Sequence, residues 1–190
     1  MKSILVIMVC CTLFYPSLSA HAQKAVLSLG PEVAFPGKTA GIQTKKTGVG
    51  GSFRFESLSG KHLSFVFTAG YISFGESKPY SYTTTVYKVN AIPVQLGIKY
   101  YTQAQKEIPD GFFLSAEAGY IITGGHINYP NGLTQKPGES GFGIAIGPGY
   151  FHKHLDLGMR AQFNLTNSGF RVYYYNVRVA YALYTKKKKG

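Results

Sequence analysis

The clearest pattern in the chain is an unbroken two-residue alternation over 155–166. One face reads Leu155, Leu157, Met159, Ala161, Phe163 and Leu165, and the other Asp156, Gly158, Arg160, Gln162, Asn164 and Thr166. Successive side chains of a β-strand point to opposite faces, so this run predicts a strand with one apolar and one polar side. The same alternation recurs with more noise over 63–71, 92–101, 112–120, 142–150 and 173–183, and more weakly over 26–35 and 49–58. After the first 22 residues no segment sustains a 3.6-residue apolar period. The chain therefore predicts an all-β fold of eight strands, each of roughly ten residues, the length that crosses a bilayer at a tilt.

The connections carry a second rhythm. Segments 36–47, 75–84 and 125–140 are long, 59–61 and 152–154 are short, 102–111 is intermediate, and the last, 167–169, is short. Alternating tight turns and long loops mark barrels whose turns face the periplasm and whose loops face outward, and an even strand number returns both chain ends to one side. The expected architecture is an eight-stranded antiparallel up-and-down transmembrane β-barrel with a periplasmic N-terminus.

The polar faces decide what lies inside. A soluble lipid-binding barrel turns its apolar face inward, whereas a membrane barrel turns it outward. Here the polar faces are rich in Gly, Ser, Asn and Gln and poor in Lys, with isolated charges at Glu32, Arg54, Glu56, Lys99, Glu117, Asp156, Arg160 and Arg178. Four acids face four bases, so the set can neutralise itself inside a lumen. Gly143, Gly147, Gly149 and Gly158 on the same faces would leave room for long side chains. An eight-stranded barrel is just wide enough for side chains to fill. The expectation is a filled polar interior with those eight residues as a structural network, and no wide pore.

The N-terminus reads as an export leader. Lys2 supplies a positive start, residues 4–13 form an apolar run, Pro16 and Ser17 break it, and Ala20-His21-Ala22 offers small residues at a cleavage site. The run is too short to span a bilayer as a helix. The expected organisation is a cleaved signal peptide at 1–22, a barrel domain at 23–185 and a basic tail at 186–190. Both cysteines, Cys10 and Cys11, fall in the leader, and neither follows the small residue that lipoprotein acylation wants. The mature chain then has no disulfide and no thiolate metal site.

Charge adds a partner class. The chain carries 20 Lys+Arg against 8 Asp+Glu. An export signal argues against nucleic acid. Much of the excess lies in expected loops and turns, at Lys38, Lys45, Lys46, Lys61, Lys78, Lys106, Lys136 and Lys153, and in the tail Lys186 to Lys189. A basic rim suits anionic outer-membrane lipids and lipopolysaccharide. The 15 Tyr and 13 Phe suit a membrane interface.

Candidate chemistry is sparse. His62, His152 and His154 fall in expected periplasmic turns, and His126 in the third outer loop with Glu139 and Ser140 at its far end. His152-Lys153-His154 puts two imidazoles on one face of an extended segment, with no carboxylate beside them in sequence. No phosphate-binding loop, zinc motif or nucleophile elbow occurs. No catalytic residue, cofactor or metal is expected. Asn164-Leu165-Thr166 matches a glycosylation sequon inside an expected membrane strand.

The run Val89-Asn90-Ala91-Ile92-Pro93-Val94-Gln95-Leu96-Gly97-Ile98-Lys99-Tyr100-Tyr101 resembles a strand of the outer-membrane β-barrel domain family common in Bacteroidetes-type bacteria. Phe113-Leu114-Ser115-Ala116-Glu117-Ala118-Gly119 resembles the strand after it, and Gly141-Phe142-Gly143 with Gly147 the glycine-rich one that follows. The resemblance implies a bulge at Pro93 and insertion by the barrel assembly machinery. Members usually end on an aromatic residue, whereas Tyr184 here is followed by Thr185 and lysines. The expected function is a monomeric, non-enzymatic scaffold in the outer membrane that displays external loops to a ligand the sequence does not name. The alternatives are a narrow porin-like channel, a soluble periplasmic lipid-binding barrel and a lipid-modifying enzyme.

Overall fold

The computed structural model of the protein describes residues 25–37, 47–77, 86–105, 108–128, 134–135, 140–166 and 169–184. The expected leader, the basic tail and most of the three long connections lie outside the described residues. The strands are β1 (Ala25–Pro36), β2 (Gly48–Leu58), β3 (Leu63–Ser77), β4 (Val86–Tyr101), β5 (Gly111–Asn128), β6 (Thr134–Gln135), β7 (Gly141–His152), β8 (Leu155–Thr166) and β9 (Gly169–Tyr184). Every pairing is antiparallel, and β9 pairs with β1 to close the ring. The two-residue β6 lies beside the end of β5, outside that ring. The fold is an eight-stranded up-and-down barrel, and closure pairs its eight long strands on both sides, although the β7 ladder along β5 ends at Ile121 and β6 meets only Ile127 and Asn128.

The apolar faces point outward. In β8, Leu155, Met159 and Leu165 are exposed while Asp156, Arg160, Gln162 and Asn164 are buried. Leu29, Leu96, Phe112 and Tyr181 are likewise exposed on other strands. A closed ladder satisfies its own backbone groups, and a greasy outer surface on such a ladder is the arrangement a bilayer requires. This is a transmembrane β-barrel with a filled polar interior. The lipid-binding alternative fails here, because it needs an apolar cavity and a charged exterior. Asn164 faces inward, which removes the sequon from any glycosylating enzyme.

Three expectations need correction. First, β3, β4, β5 and β9 run to 15, 16, 18 and 16 residues, well beyond the roughly ten expected. The β4–β5 pairing continues to Val86↔Asn128, while β5–β7 pairing stops at Ile121↔Gly141. The β4–β5 arm thus projects seven residues past that point, roughly 24 Å. Residues 86–90 and 122–128 carry no clean two-residue alternation, so the sequence does not mark this extension. Second, His126 belongs to β5, opposite Lys88, and not to a loop. Third, Pro93 makes no bulge. The pairs Ala69↔Val94 and Ile72↔Ala91 keep one register, and the ladder simply skips the two residues between them. Pro31 and Pro148 sit at matching gaps facing β9 and β8. Each proline turns its missing N–H to one neighbour and stays paired with the other, at Gly51, Ile121 and Leu114 for Pro31, Pro93 and Pro148.

Candidate functional site

All eight charged residues singled out from the sequence lie inside the barrel and are buried. They come from β1, β2, β4, β5, β8 and β9, and alternation alone turns each inward. Arg160 bridges Glu32 (2.9 Å) and Glu117 (3.1 Å), and Arg54 reaches the other Glu117 oxygen at 3.0 Å. Asn176 Nδ2 donates to the second oxygen of Glu32 at 2.6 Å, and Ser52 Oγ donates to the first. Around Asp156 gather Arg178 at 2.6 Å and Arg54 and Lys99 at 3.7 Å each, with Ser28 Oγ donating at 3.0 Å. Lys99 also meets Glu56 at 2.6 Å, and the Tyr101 hydroxyl donates to the other Glu56 oxygen at 2.6 Å. Buried charge is tolerated where each ion is paired and hydrogen-bonded, and here each acid has at least one cation in contact.

Two apolar clusters cap this network, and the sequence reading did not foresee them. At the lower end of the barrel, where β1 begins and β9 finishes, Val26, Tyr101, Phe113, Phe151 and Ala182 pack together, with Ile108 and Tyr184 against them. Toward the other end Ala34, Ile72, Phe74, Ala91, Ile121 and Tyr174 do the same. Their signal was present as aromatics on faces otherwise made of Ser, Glu and Gly, such as Phe113 between Gly111 and Ser115. Lys99 Nζ sits 4.2 Å above the Phe113 ring, so the charged layer and the apolar cap touch through a cation–π contact.

The inward glycines divide by role. A Cβ on Gly149 would strike the Phe113 ring, and one on Gly143 the Ile121 and Gln162 side chains, so these two make room as expected, although each would also meet a β8 carbonyl, of Leu157 and Phe163 respectively. A Cβ on Gly147 would strike the Met159 carbonyl, which is a backbone approach, and Gly158 has open space.

The turns next to the lower cap hold three histidines. His152 Nδ1 lies 3.0 Å from Asp110, so a carboxylate distant in sequence does reach it. His154 instead bonds the Ala182 carbonyl at 2.8 Å and the Tyr184 hydroxyl at 3.1 Å. Lys153, with φ 51°, turns the chain between them and separates the two imidazoles, contrary to the extended geometry expected. No group of three or more metal-ligating side chains occurs among the described residues. A cavity of about 540 Å³ opens on this rim, lined by Gln103, Gln105, Asp110, His152 and Lys153 among others.

No protein-family model matches the chain, and no curated protein matches it. Among solved structures it is similar to Ail, the attachment invasion locus protein of Yersinia pestis, crystallised with the heparin analogue sucrose octasulfate. The TM-score is 0.63 at 9% identity, covering 86% of this chain and 100% of that one. A second Ail crystal structure aligns at TM-score 0.60 and 10% identity over the same shares. The fold is that of a small outer-membrane β-barrel. At this identity the likeness carries architecture and leaves activity to the residues of this chain. Those residues form a charge-paired core between two apolar caps.

Proposed function

We propose that the protein is an outer-membrane scaffold of a Gram-negative cell envelope that displays external loops and conducts nothing through its lumen. The observation that carries this reading is the capped interior: a charge-paired layer between two apolar clusters, behind a lipid-facing belt. Residues 1–22 act as its cleaved export signal, 23–185 as the barrel and 186–190 as a basic periplasmic tail. The barrel assembly machinery inserts it, it works as a monomer without enzymatic activity, and it belongs with the Bacteroidetes-type barrels that the 89–101 strand resembles. The eight lumen charges are structural.

The external segments favour an anionic partner. Segments 36–47, 75–84 and 125–140 carry Lys38, Lys45, Lys46, Lys78 and Lys136 against Glu76 and Glu139. Lipopolysaccharide phosphates supply that chemistry in the outer leaflet. The sulfated ligand crystallised with Ail is a precedent for a polyanion on this fold.

Two measurements test the reading. Cell fractionation should recover the protein with outer membranes, and recovery in the soluble periplasm would overturn the membrane placement. In planar bilayers the purified barrel should leave the current at the protein-free baseline. Stepwise conductance would instead favour the narrow channel.

A further inference from the structure

Two tight turns on the rim next to the lower cap carry the same three residues. Lys61-His62-Leu63 leads into β3 and Lys153-His154-Leu155 leads into β8. In the ring β3 and β8 lie diametrically opposite, four strands apart in either direction. The two copies share one set of contacts, and His154 in addition stacks on Tyr184 at 4.7 Å with its Nε2 3.1 Å from the Tyr184 hydroxyl. His62 Nδ1 lies 2.9 Å from the Tyr101 carbonyl of β4, and His154 Nδ1 lies 2.8 Å from the Ala182 carbonyl of β9. The amides of Tyr101 and Ala182 return 2.7 Å bonds to the carbonyls of His62 and His154. Each imidazole then lies flat on the tyrosine one residue earlier in that neighbouring strand. His62 stacks on Tyr100 with centroids 5.7 Å apart and 19° between planes, and His154 on Tyr181 at 5.1 Å and 7°.

Tyr100 and Tyr181 are both more than half exposed on the outer surface of the barrel. Each unit therefore sets an exposed lysine and a fixed imidazole directly over a lipid-facing ring, at the depth where head groups meet hydrocarbon. A stack on that outward face points to lipid and not to a soluble ligand, which would need no contact with the belt. Neither Lys61 nor Lys153 forms a salt bridge among the described residues, so both charges are available for an external anion. The described acid exposed at this rim, Asp110, is engaged by His152.

We propose that the two Lys-His-Leu turns are paired binding sites for the phosphate of anionic phospholipids in the periplasmic leaflet. The lysine ammonium supplies the charge and the N–H donors, the imidazole, tied through Nδ1 to a strand carbonyl, holds the turn against the tyrosine, and the tyrosine is the surface on which the glycerol and first acyl carbons lie. Two opposed sites would fix the height and tilt of the barrel in the leaflet. This rests on the outer-membrane reading above.

The test is native mass spectrometry of the mature barrel released from vesicles of equal parts phosphatidylglycerol and phosphatidylcholine. Retained phosphatidylglycerol should exceed phosphatidylcholine by about fivefold for each lysine that acts. The pair Lys61→Gln and Lys153→Gln should abolish the preference, and the pair His62→Gln and His154→Gln should weaken it. Glutamine at Lys186 to Lys189 should leave it in place. Equal retention of both lipids by the unaltered barrel, or a preference that vanishes with the tail lysines alone, overturns the proposal. Folding into pure phosphatidylcholine vesicles, read by gel mobility before and after boiling, is scored separately. Failure there counts against the membrane reading, whereas folding without lipid preference counts only against the paired sites.

Discussion

Replacing Arg178 with alanine is expected to lower the stability of the barrel in detergent by roughly 3–5 kcal/mol, the usual effect of stranding a buried charge. The guanidinium is 1% exposed and serves three strands at once. It contacts Asp156 of β8 at 2.6 Å, Ser52 of β2 at 2.9 Å, and both the carbonyl and the hydroxyl of Ser28 of β1 at 3.0 Å. Alanine removes the nearest cation from Asp156 and leaves Lys99 and Arg54 at 3.7 Å to hold it. The loss should appear as a lower denaturant midpoint with an unchanged slope. Adding Asp156→Asn to Arg178→Ala should recover part of it, because the stranded charge is then gone, and a double-mutant cycle measures the coupling. A midpoint for Arg178→Ala within error of the unaltered barrel would show that the lumen network does not hold the fold.

The burial of this network was legible because it depends on one number, the period of two. Asp156, Arg160 and Arg178 could be turned inward from their own strands, given that the apolar face seeks lipid. The partners were not legible. Ser28 meets Asp156 across 128 positions of sequence, and which strands face each other across the lumen is set by closure and stagger rather than by any local pattern. The caps escaped for a different reason. Tyr101, Phe113 and Tyr174 alternate correctly with lipid-facing neighbours, so periodicity alone treats an inward aromatic like any inward serine. Only the volume of the side chain against the width of the lumen marks it as a closure. Strand ends were lost where the alternation stops. The β4–β5 pairing runs on past Ile121 to Val86↔Asn128, and residues such as Asn90, Gly124 and Gly125 there carry no apolar alternation to read. The repeated Lys-His-Leu turn was visible as letters. Its meaning required the neighbouring strands β4 and β9, which the sequence does not place beside it.

The second large effect is expected from a single methyl group. Gly147→Ala should destabilise the barrel by about 3 kcal/mol or abolish folding, at the upper end of what overpacking costs. A Cβ at this position would stand 1.8 Å from the Met159 carbonyl oxygen, with the Arg160 Cα at 2.8 Å. These are backbone atoms of β8, so no rotamer change relieves the contact. The next residue, Pro148, lacks an N–H, and the β7–β8 ladder is interrupted between Ile146↔Ala161 and Gly149↔Gly158. The two strands approach closely where they are not bridged by ladder hydrogen bonds, and only glycine permits it. In an open sheet β8 could move away. In a closed ring its displacement must be passed to β9 and then to β1, across the pairs Gly158↔Arg178 and Glu32↔Arg178 that align the lumen charges. Gly158→Ala is the matched control. That glycine also faces inward, yet nothing lies within 4 Å of the added carbon, so its denaturant midpoint should stay near that of the unaltered barrel. Equal midpoints for the two variants would mean that the β7–β8 spacing relaxes freely, and that closure does not transmit strain around the ring.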